Sequence, residues 1–245
     1  MKIDGHIRVG STFKGEDFPI EEYIKLMEEE NIDKAVICPN KPSSYKVEDG
    51  NDYVATVLAK YPDKFWGAVR VNPWDREKAI LELEKRVIEN EKIKFLYLNP
   101  WEEQFQCNDK LVYGIMEAVQ KLKLSVIIEA GYPWVSQIFQ IADLARNFKD
   151  VKFIATNSGQ LDLSGSTLGD VAFVMGKSDN IYLGSAGACG GQWLADIERE
   201  YPGKILFESN YPFMEPHLEN FRIEKGFMED NEKENIYSNN ILAML

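Results

Sequence analysis

Apolar residues fall along this chain in two alternating textures. Short runs rich in Val, Ile, Leu and Phe are bounded by Pro, Gly or Asn, and between them apolar positions recur every three or four residues. The first texture is that of buried strands and the second that of amphipathic helices. Residues 2–10 open the chain as a strand in which Ile3, Ile7 and Val9 are apolar. Asp4, His6 and Arg8 take alternate positions, which period two predicts to share one face. Residues 19–31 read as a helix with Ile20, Tyr23, Ile24 and Met27 inward. Residues 34–39 are a second strand stopped by Pro39, residues 40–50 a polar loop, and residues 52–60 a helix. Strand three covers 65–71 and closes at Asn72-Pro73, after which Asp75 is placed to cap a helix reaching about residue 90.

The alternation continues to the end of the chain. Strand four covers 94–100, and Asp109 caps a helix carrying Leu111, Val112, Ile115, Met116 and Val119. Strand five covers 125–131 with a helix over 134–148. Strand six covers 152–159, followed by a glycine-rich loop and a weaker helix over 170–177. Strand seven covers 181–186 with a helix over 192–201, and strand eight covers 205–212. Helical pieces finish the chain, the last from about residue 232 to 245. Strands buried on both faces, each followed by a helix, predict a parallel sheet. Eight such units in 245 residues, with no change of composition to mark a second domain, predict an α/β protein whose single domain, residues 1–245, is a (β/α)8 TIM barrel. Its functional groups are then expected at the C-terminal ends of the strands.

Charge and cysteine usage narrow the setting. A net charge of −12 excludes nucleic acid as a general partner, though a local site can carry the opposite sign. No apolar run approaches the roughly 20 residues of a membrane span, so no membrane association is expected. The chain enters a strand at its second residue, without a leader. Cys38, Cys107 and Cys189 are odd in number and far apart, which points to a reducing, cytoplasmic setting without a disulfide frame. No clustered Cys/His pattern offers a structural zinc site.

The expected strand ends carry His6 and Arg8, Arg70 and Asn72, Tyr97 and Asn99, Glu129, Asn157, Ser185, and Glu208 and Asn210. Polar strand ends are common to all such barrels, but this series has an order. Ile3-Asp4-Gly5-His6 resembles a "D-x-H-x-H" opening, and Asn31-Ile32-Asp33-Lys34-Ala35-Val36 resembles "GIDKAV". Asn51-Asp52-Tyr53-Val54 and Tyr61-Pro62-Asp63-Lys64-Phe65-Trp66-Gly67 are similar to "N-x-x-V…YPDRFxG". Leu206-Phe207-Glu208-Ser209-Asn210-Tyr211-Pro212-Phe213 resembles "LFGSDYPF", and Asn240 falls at a C-terminal "GNA" asparagine. Taken together and in order, these segments resemble the amidohydrolase-related branch of the amidohydrolase superfamily, which includes decarboxylases of the carboxymuconate-semialdehyde type and lactonases.

That resemblance implies a divalent metal such as zinc, held by two histidines on strand one, histidines on strands five and six, and an aspartate on strand eight. Here the second strand-one position is Arg8, strand five has Glu129, strand six has Asn157, and strand eight has Asn210. Tyr97 and Asn99 stand where some members carry lysine and histidine. Only His6 is kept, with Glu129 the one other good ligand, and a catalytic zinc wants about three protein ligands. We therefore expect no metal cofactor. Arg8 and Glu129 are expected to pair across the barrel mouth, with the guanidinium in the space a metal would fill. Arg8, helped by Arg70, can hold a substrate carboxylate. Glu129 or His6 can serve as general base, and Tyr97 can donate to a developing oxyanion. Asn99, Asn157 and Asn210 would supply hydrogen bonds, and Trp101, Tyr132 and Trp134 the walls. Glu208, in place of a family glycine, is expected to be a surface or loop contact, and His217 an exposed loop residue.

Three readings stay open at this point. The first is a metal-independent hydrolase or lyase acting on a small carboxylated molecule. The second is a non-catalytic binding protein or a partner subunit of an intact paralogue. The third is a weak metal-dependent hydrolase, which would need a carboxylate such as Glu208 turned inward. Homo-oligomers are common in the family, and nothing in the sequence marks an interface. Neither substrate nor reaction is legible.

Overall fold

Among the described residues nine strands run side by side in one sheet. The computed structural model describes residues 1–160 and 167–245. β1 (Ile3–Ser11) is followed by the short antiparallel β2 (Asp17–Phe18), which pairs with its end. Then come β3 (Lys34–Pro39), β4 (Phe65–Arg70), β5 (Ile93–Leu98), β6 (Ser125–Ile128), β7 (Phe153–Ala155), β8 (Ile181–Gly184) and β9 (Ile205–Leu206). β1 and β3 to β9 are parallel and neighbour one another in chain order. The residues after β9 return to β1: Gly5 N–H donates to Phe207 O at 2.7 Å, Arg8 N–H to Tyr211 O at 2.7 Å, and Asn210 N–H to His6 O at 3.2 Å. These bonds close the sheet, and the fold is the expected (β/α)8 barrel.

Helices α1 (Ile20–Glu30), α2 (Val47–Lys60), α3 (Glu77–Glu89), α4 (Pro100–Glu103), α5 (Tyr113–Leu122) and α6 (Ile138–Asn147) alternate with the strands. They are followed by α7 (Thr167–Met175), α8 (Gly191–Glu200), α9 (Pro216–Glu224), α10 (Asp230–Glu234) and α11 (Asn240–Leu242). Strand alternation sorts the apolar residues into two cores. Ile37, Val69, Leu96 and Val126 face the helix layer, while Val36, Ala68, Phe95, Ile127 and Ile154 fill the barrel. Ile241 and Met244, at and beyond α11, join the interior cluster with Ile3 and Leu206. Among the described residues no helix is long and apolar enough to cross a membrane.

Several local expectations are corrected. Asp4 does not share a face with His6 and Arg8. The register of β1 against β3 shifts between Asp4 and Ile7, a bulge that changes the strand's parity. Asp4 therefore meets the helix layer, where Tyr23 Oη donates to its Oδ2 at 2.6 Å. Gly5 allows the close approach, since a Cβ there would lie 3.0 Å from Phe207 O. α2 begins at Val47 rather than in the fifties, because Gly50 is not a break: its bare Cα lets the helix press on Asn40 O and Pro39. Asp75 caps nothing; Asn72 accepts from Trp74 N–H, and α3 starts after Arg76. α6 starts at Ile138, four residues past the expected Trp134. Asp109 does accept from Leu111 N–H as expected. The glycine-rich loop expected after strand six falls largely on residues 161–166, outside the described residues.

Candidate functional site

Arg70, Tyr97 and Glu129 come two residues after the interior Ala68, Phe95 and Ile127, so the same alternation turns them inward, one layer nearer the strand ends. His6 and Arg8 join them from β1, past its bulge. All five are buried. Glu129 leaves the ladder just after β6, yet its N–H still donates to Leu98 O at 2.9 Å, which fixes where the side chain starts.

Glu129 is held from three sides. Tyr97 Oη donates to its Oε2 at 2.9 Å, and Asn157 Nδ2 to its Oε1 at 2.9 Å. His6 Nε2 lies 3.9 Å from Oε2 and has no hydrogen-bond partner of its own. Burial alone would raise the Glu129 carboxyl, but Arg8, His6, Asn157 and Tyr97 outweigh it and hold the group below the usual carboxylate range. Burial also pushes the His6 imidazole down, with Arg8 adding to the effect, to about 4. The ring is neutral at physiological pH.

Glu208 overturns its expected place. It is buried, and its Oε1 lies 2.8 Å from His6 Nδ1 while Oε2 accepts from Asn157 N–H at 3.3 Å. Gly184 on β8 makes this possible: a Cβ there would sit 1.4 Å from Glu208 Oε2. No cation touches the carboxylate. Burial, then the charges of Glu129 and Asp4, push Glu208 well above the usual carboxylate range, so it is held neutral. In the neutral form its hydroxyl donates to Nδ1, which assigns the ring hydrogen to Nε2, on the side of Glu129.

The expected Arg8–Glu129 pair is not formed. Arg8 Nη1 bonds Glu102 Oε1 at 3.0 Å and reaches Tyr97 Oη at 3.4 Å, while its guanidinium lies on the Phe213 ring, 3.7 Å from the centroid. Glu129 acts on Arg8 only through space. Glu102 belongs to α4, a turn that Asn99 caps by accepting from Glu102 N–H, with Pro100 in the first position. Glu102 Oε2 also takes Arg70 Nη2 at 2.6 Å. Arg70 in addition holds Glu103 Oε1 through Nε and Nη2, and Lys41 Nζ bonds Glu103 Oε2 at 2.9 Å. Arg70 is fully buried in these contacts and does not line the mouth.

Above this layer opens a cavity of about 380 Å³ whose lining includes Arg8, Glu102, Glu129, Asn157, Asn210 and Phe213. Asn210 Nδ2 donates to Asn157 Oδ1 at 2.7 Å, and Asn210 Oδ1 is buried without a partner. Trp101 and Tyr132 stack at 5.2 Å and form one wall. Trp134, expected beside them, is 76% exposed and outside the cavity. His6, Tyr97 and Asn99 are close to Glu129 but behind the cavity floor. His217 is exposed and pairs with Glu30 at 2.9 Å. The sequence reading missed Glu102, Glu103, Lys41 and Phe213. The signal for α4 was present, since Asn-Pro is a helix start as well as a strand stop.

The fold and this geometry can be set beside known proteins. The amidohydrolase family model matches residues 46–245. The chain belongs to the amidohydrolase family. No curated protein matches it. Solved structures similar to this amidohydrolase-family barrel include an amidohydrolase described as putative from Staphylococcus aureus, at 16% identity and a TM-score of 0.79, covering 100% of this chain and 99% of that one. A 2,6-dihydroxybenzoate decarboxylase from Rhizobium is 15% identical with a TM-score of 0.78, covering 99% and 98%. A 4-oxalomesaconate hydratase from Rhodopseudomonas palustris is 20% identical with a TM-score of 0.74, covering 100% and 95%. At these identities the likeness is one of fold.

Proposed function

We propose that this barrel is a metal-independent hydrolase or lyase acting on a small carboxylated molecule at its mouth, with Glu129 as the base. The observation that carries this reading is Glu129 itself, a buried carboxylate held ionised that lines the cavity. A carboxylate in that state can take a proton from a substrate or from a water molecule. Arg8, flat on Phe213, offers a substrate carboxylate a fixed cation. Asn210 Oδ1 is free to accept from a substrate donor. Tyr97 and His6 contact Glu129 from behind and serve as positioning residues. Burial pushes the Tyr97 hydroxyl well up, which keeps its proton on and its bond to Glu129 made.

The family implies a divalent metal such as zinc, and a neighbouring structure, dihydroxybenzoic acid decarboxylase from Polaromonas sp. JS666, is described with bound manganese. The donors in this chain do not fit one. His6 Nδ1 is taken by Glu208, its unpartnered Nε2 would be a single nitrogen donor, and both Glu129 oxygens already accept hydrogen bonds. Asn157 turns its amide nitrogen to Glu129 and its oxygen to Asn210. Arg8 has no lone pair to give and would repel a dication. Among the described residues no three His, Cys, Asp or Glu side chains come together to hold a metal ion. The named activities of the neighbours, decarboxylation and hydration, motivate the choice of carboxylated substrates and of lyase chemistry. The described cysteines are all free, which suits the cytoplasmic setting we propose.

The test is a turnover screen over small carboxylic acids with chelator-treated protein, beside Glu129→Gln. Chelator-resistant turnover is expected, with kcat lowered roughly 10²- to 10⁴-fold in the variant. Activity lost to chelator and restored by zinc or manganese would overturn metal independence. An unimpaired Glu129→Gln variant would overturn the base. Ligands bound but returned unchanged would assign the chain to the non-catalytic reading.

A further inference from the structure

The ionic layer beneath the mouth is already balanced. Arg8, Arg70 and Lys41 face Glu102, Glu103 and Glu129, and the rim adds Lys14 against Glu16. An anionic substrate entering as a simple addition would leave the buried layer with an uncompensated negative charge, which is costly away from water. The carboxylates are not equally fixed. Glu103 is 2% exposed and holds Arg70 through two nitrogens as well as Lys41. Glu129 is 1% exposed and takes bonds from Tyr97 and Asn157. Glu102 is 14% exposed, belongs to a helix of only four residues and lines the cavity.

The partners differ in the same way. If Glu102 turns away, Arg70 keeps Glu103 and its contact to Pro39 O. Arg8 loses its one carboxylate contact but not its position, because Phe213 and Tyr97 Oη still hold the guanidinium. Arg8 Nε is also buried without a partner. The layout leaves a prepared cation held from two other sides, whose counter-ion is the more exposed member of the pair.

We propose that Glu102 is an exchangeable counter-ion that holds Arg8 until a substrate carboxylate takes its place, and so sets how much negative charge the mouth accepts. This rests on the reading that the mouth takes a carboxylated molecule and adds which residue governs that selection. One incoming carboxylate restores the balance that Glu102 leaves behind, and a second overshoots it. The site thus selects monocarboxylates over dicarboxylates, with the Trp101–Tyr132 stack and Phe213 suited to a flat apolar body.

Calorimetric titration with benzoate, its neutral isostere benzamide and the dianion phthalate tests this. Wild-type protein is expected to bind benzoate more tightly than phthalate. Glu102→Gln is expected to tighten benzoate about tenfold or more, to tighten phthalate by a similar factor so that benzoate stays ahead, and to leave benzamide within about twofold. Benzoate affinity unchanged or weaker in Glu102→Gln would overturn the exchange and leave Glu102 a structural counter-ion. If neither protein binds any carboxylate while both are folded, the carboxylated-substrate reading itself falls. A crystal of wild-type protein soaked with benzoate decides the matter without a variant. The carboxylate on Arg8 with Glu102 turned out supports the exchange, and Glu102 still on Arg8 with benzoate elsewhere overturns it.

Discussion

Glu208 and His6 touch at 2.8 Å and are shifted in opposite directions by burial, and the two shifts together have a measurable signature. Glu208 is raised, so its contribution to stability is present below the ordinary value of 4.5 and is lost as pH rises above it. His6 is lowered to about 4 from 6.5, so its contribution is lost as pH falls through that window. Between 4.5 and 6.5 the unfolded chain has released the glutamate proton and still holds one on the histidine, while in the folded chain burial favours the proton on Glu208 and disfavours one on His6. The two shifts therefore offset each other in that range. Glu208→Gln removes one side of this balance and leaves a protein that gains stability with rising pH. Wild-type stability minus that of the variant should therefore fall as pH rises above 4.5, by at most about 1.4 kcal/mol per pH unit. Urea unfolding of both proteins at pH 5 and pH 6 checks this, and parallel curves would refute the raised Glu208 carboxyl. Arg8, Glu129, Asn157 and Asn210 could be read from the sequence because each stands at a strand end in a familiar order. Glu208 could not, because the room for its carboxylate comes from Gly184, distant in sequence, and a residue's neighbours in the chain say nothing of that space.

At the level of elements, Glu208 and Gly184 couple the segment after β9 to β8. A methyl group at 184 would occupy the space of Glu208 Oε2. Gly184→Ala should cost about 1–3 kcal/mol by overpacking and displace the carboxylate from His6. In a Glu208→Ala background only the Cβ of residue 208, 3.2 Å away, still crowds the methyl, and the same substitution should cost clearly less than in wild type, under about 1 kcal/mol. Chemical denaturation of the four proteins gives the interaction energy. Additive effects would mean that the two strands relax apart instead of clashing. Periodicity located the eight barrel strands and most helices, since burial of one face leaves a period in the sequence, but it missed β2, which at two residues has no period to show. It placed Asp4 on the wrong face because a bulge inserts a residue without changing composition. It ended strands five, six and eight too late because the residues beyond their ends stay buried while leaving the ladder to build the site. It missed α4 because a helix of four residues has no period to show.

The whole barrel divides its labour between two ends, and a prediction at this scale asks whether the division holds. Eight repeated units were legible from the count alone, and closure follows from the length of the series rather than from any one strand. The mouth gathers the charges. In the interior, Ile241 and Met244 pack with Ile3, Leu206 and Phe95, and Asn240 Nδ2 ties this segment to Ile205 O at 2.7 Å. Ile241 is fully buried. Ile241→Ala should cost about 2–5 kcal/mol through lost burial and a residual cavity. That is a large share of the roughly 5–15 kcal/mol typical of a folded domain. The urea midpoint should fall with an unchanged slope, because the variant exposes nearly the same surface on unfolding. The mouth should not register the change: benzoate affinity, measured well below the lowered midpoint, should stay within about twofold of wild type. A parallel loss of affinity would mean that packing at Ile241 sets the position of His6 and Arg8 along β1. The strand would then transmit what happens in the interior to the site, instead of isolating the site from it.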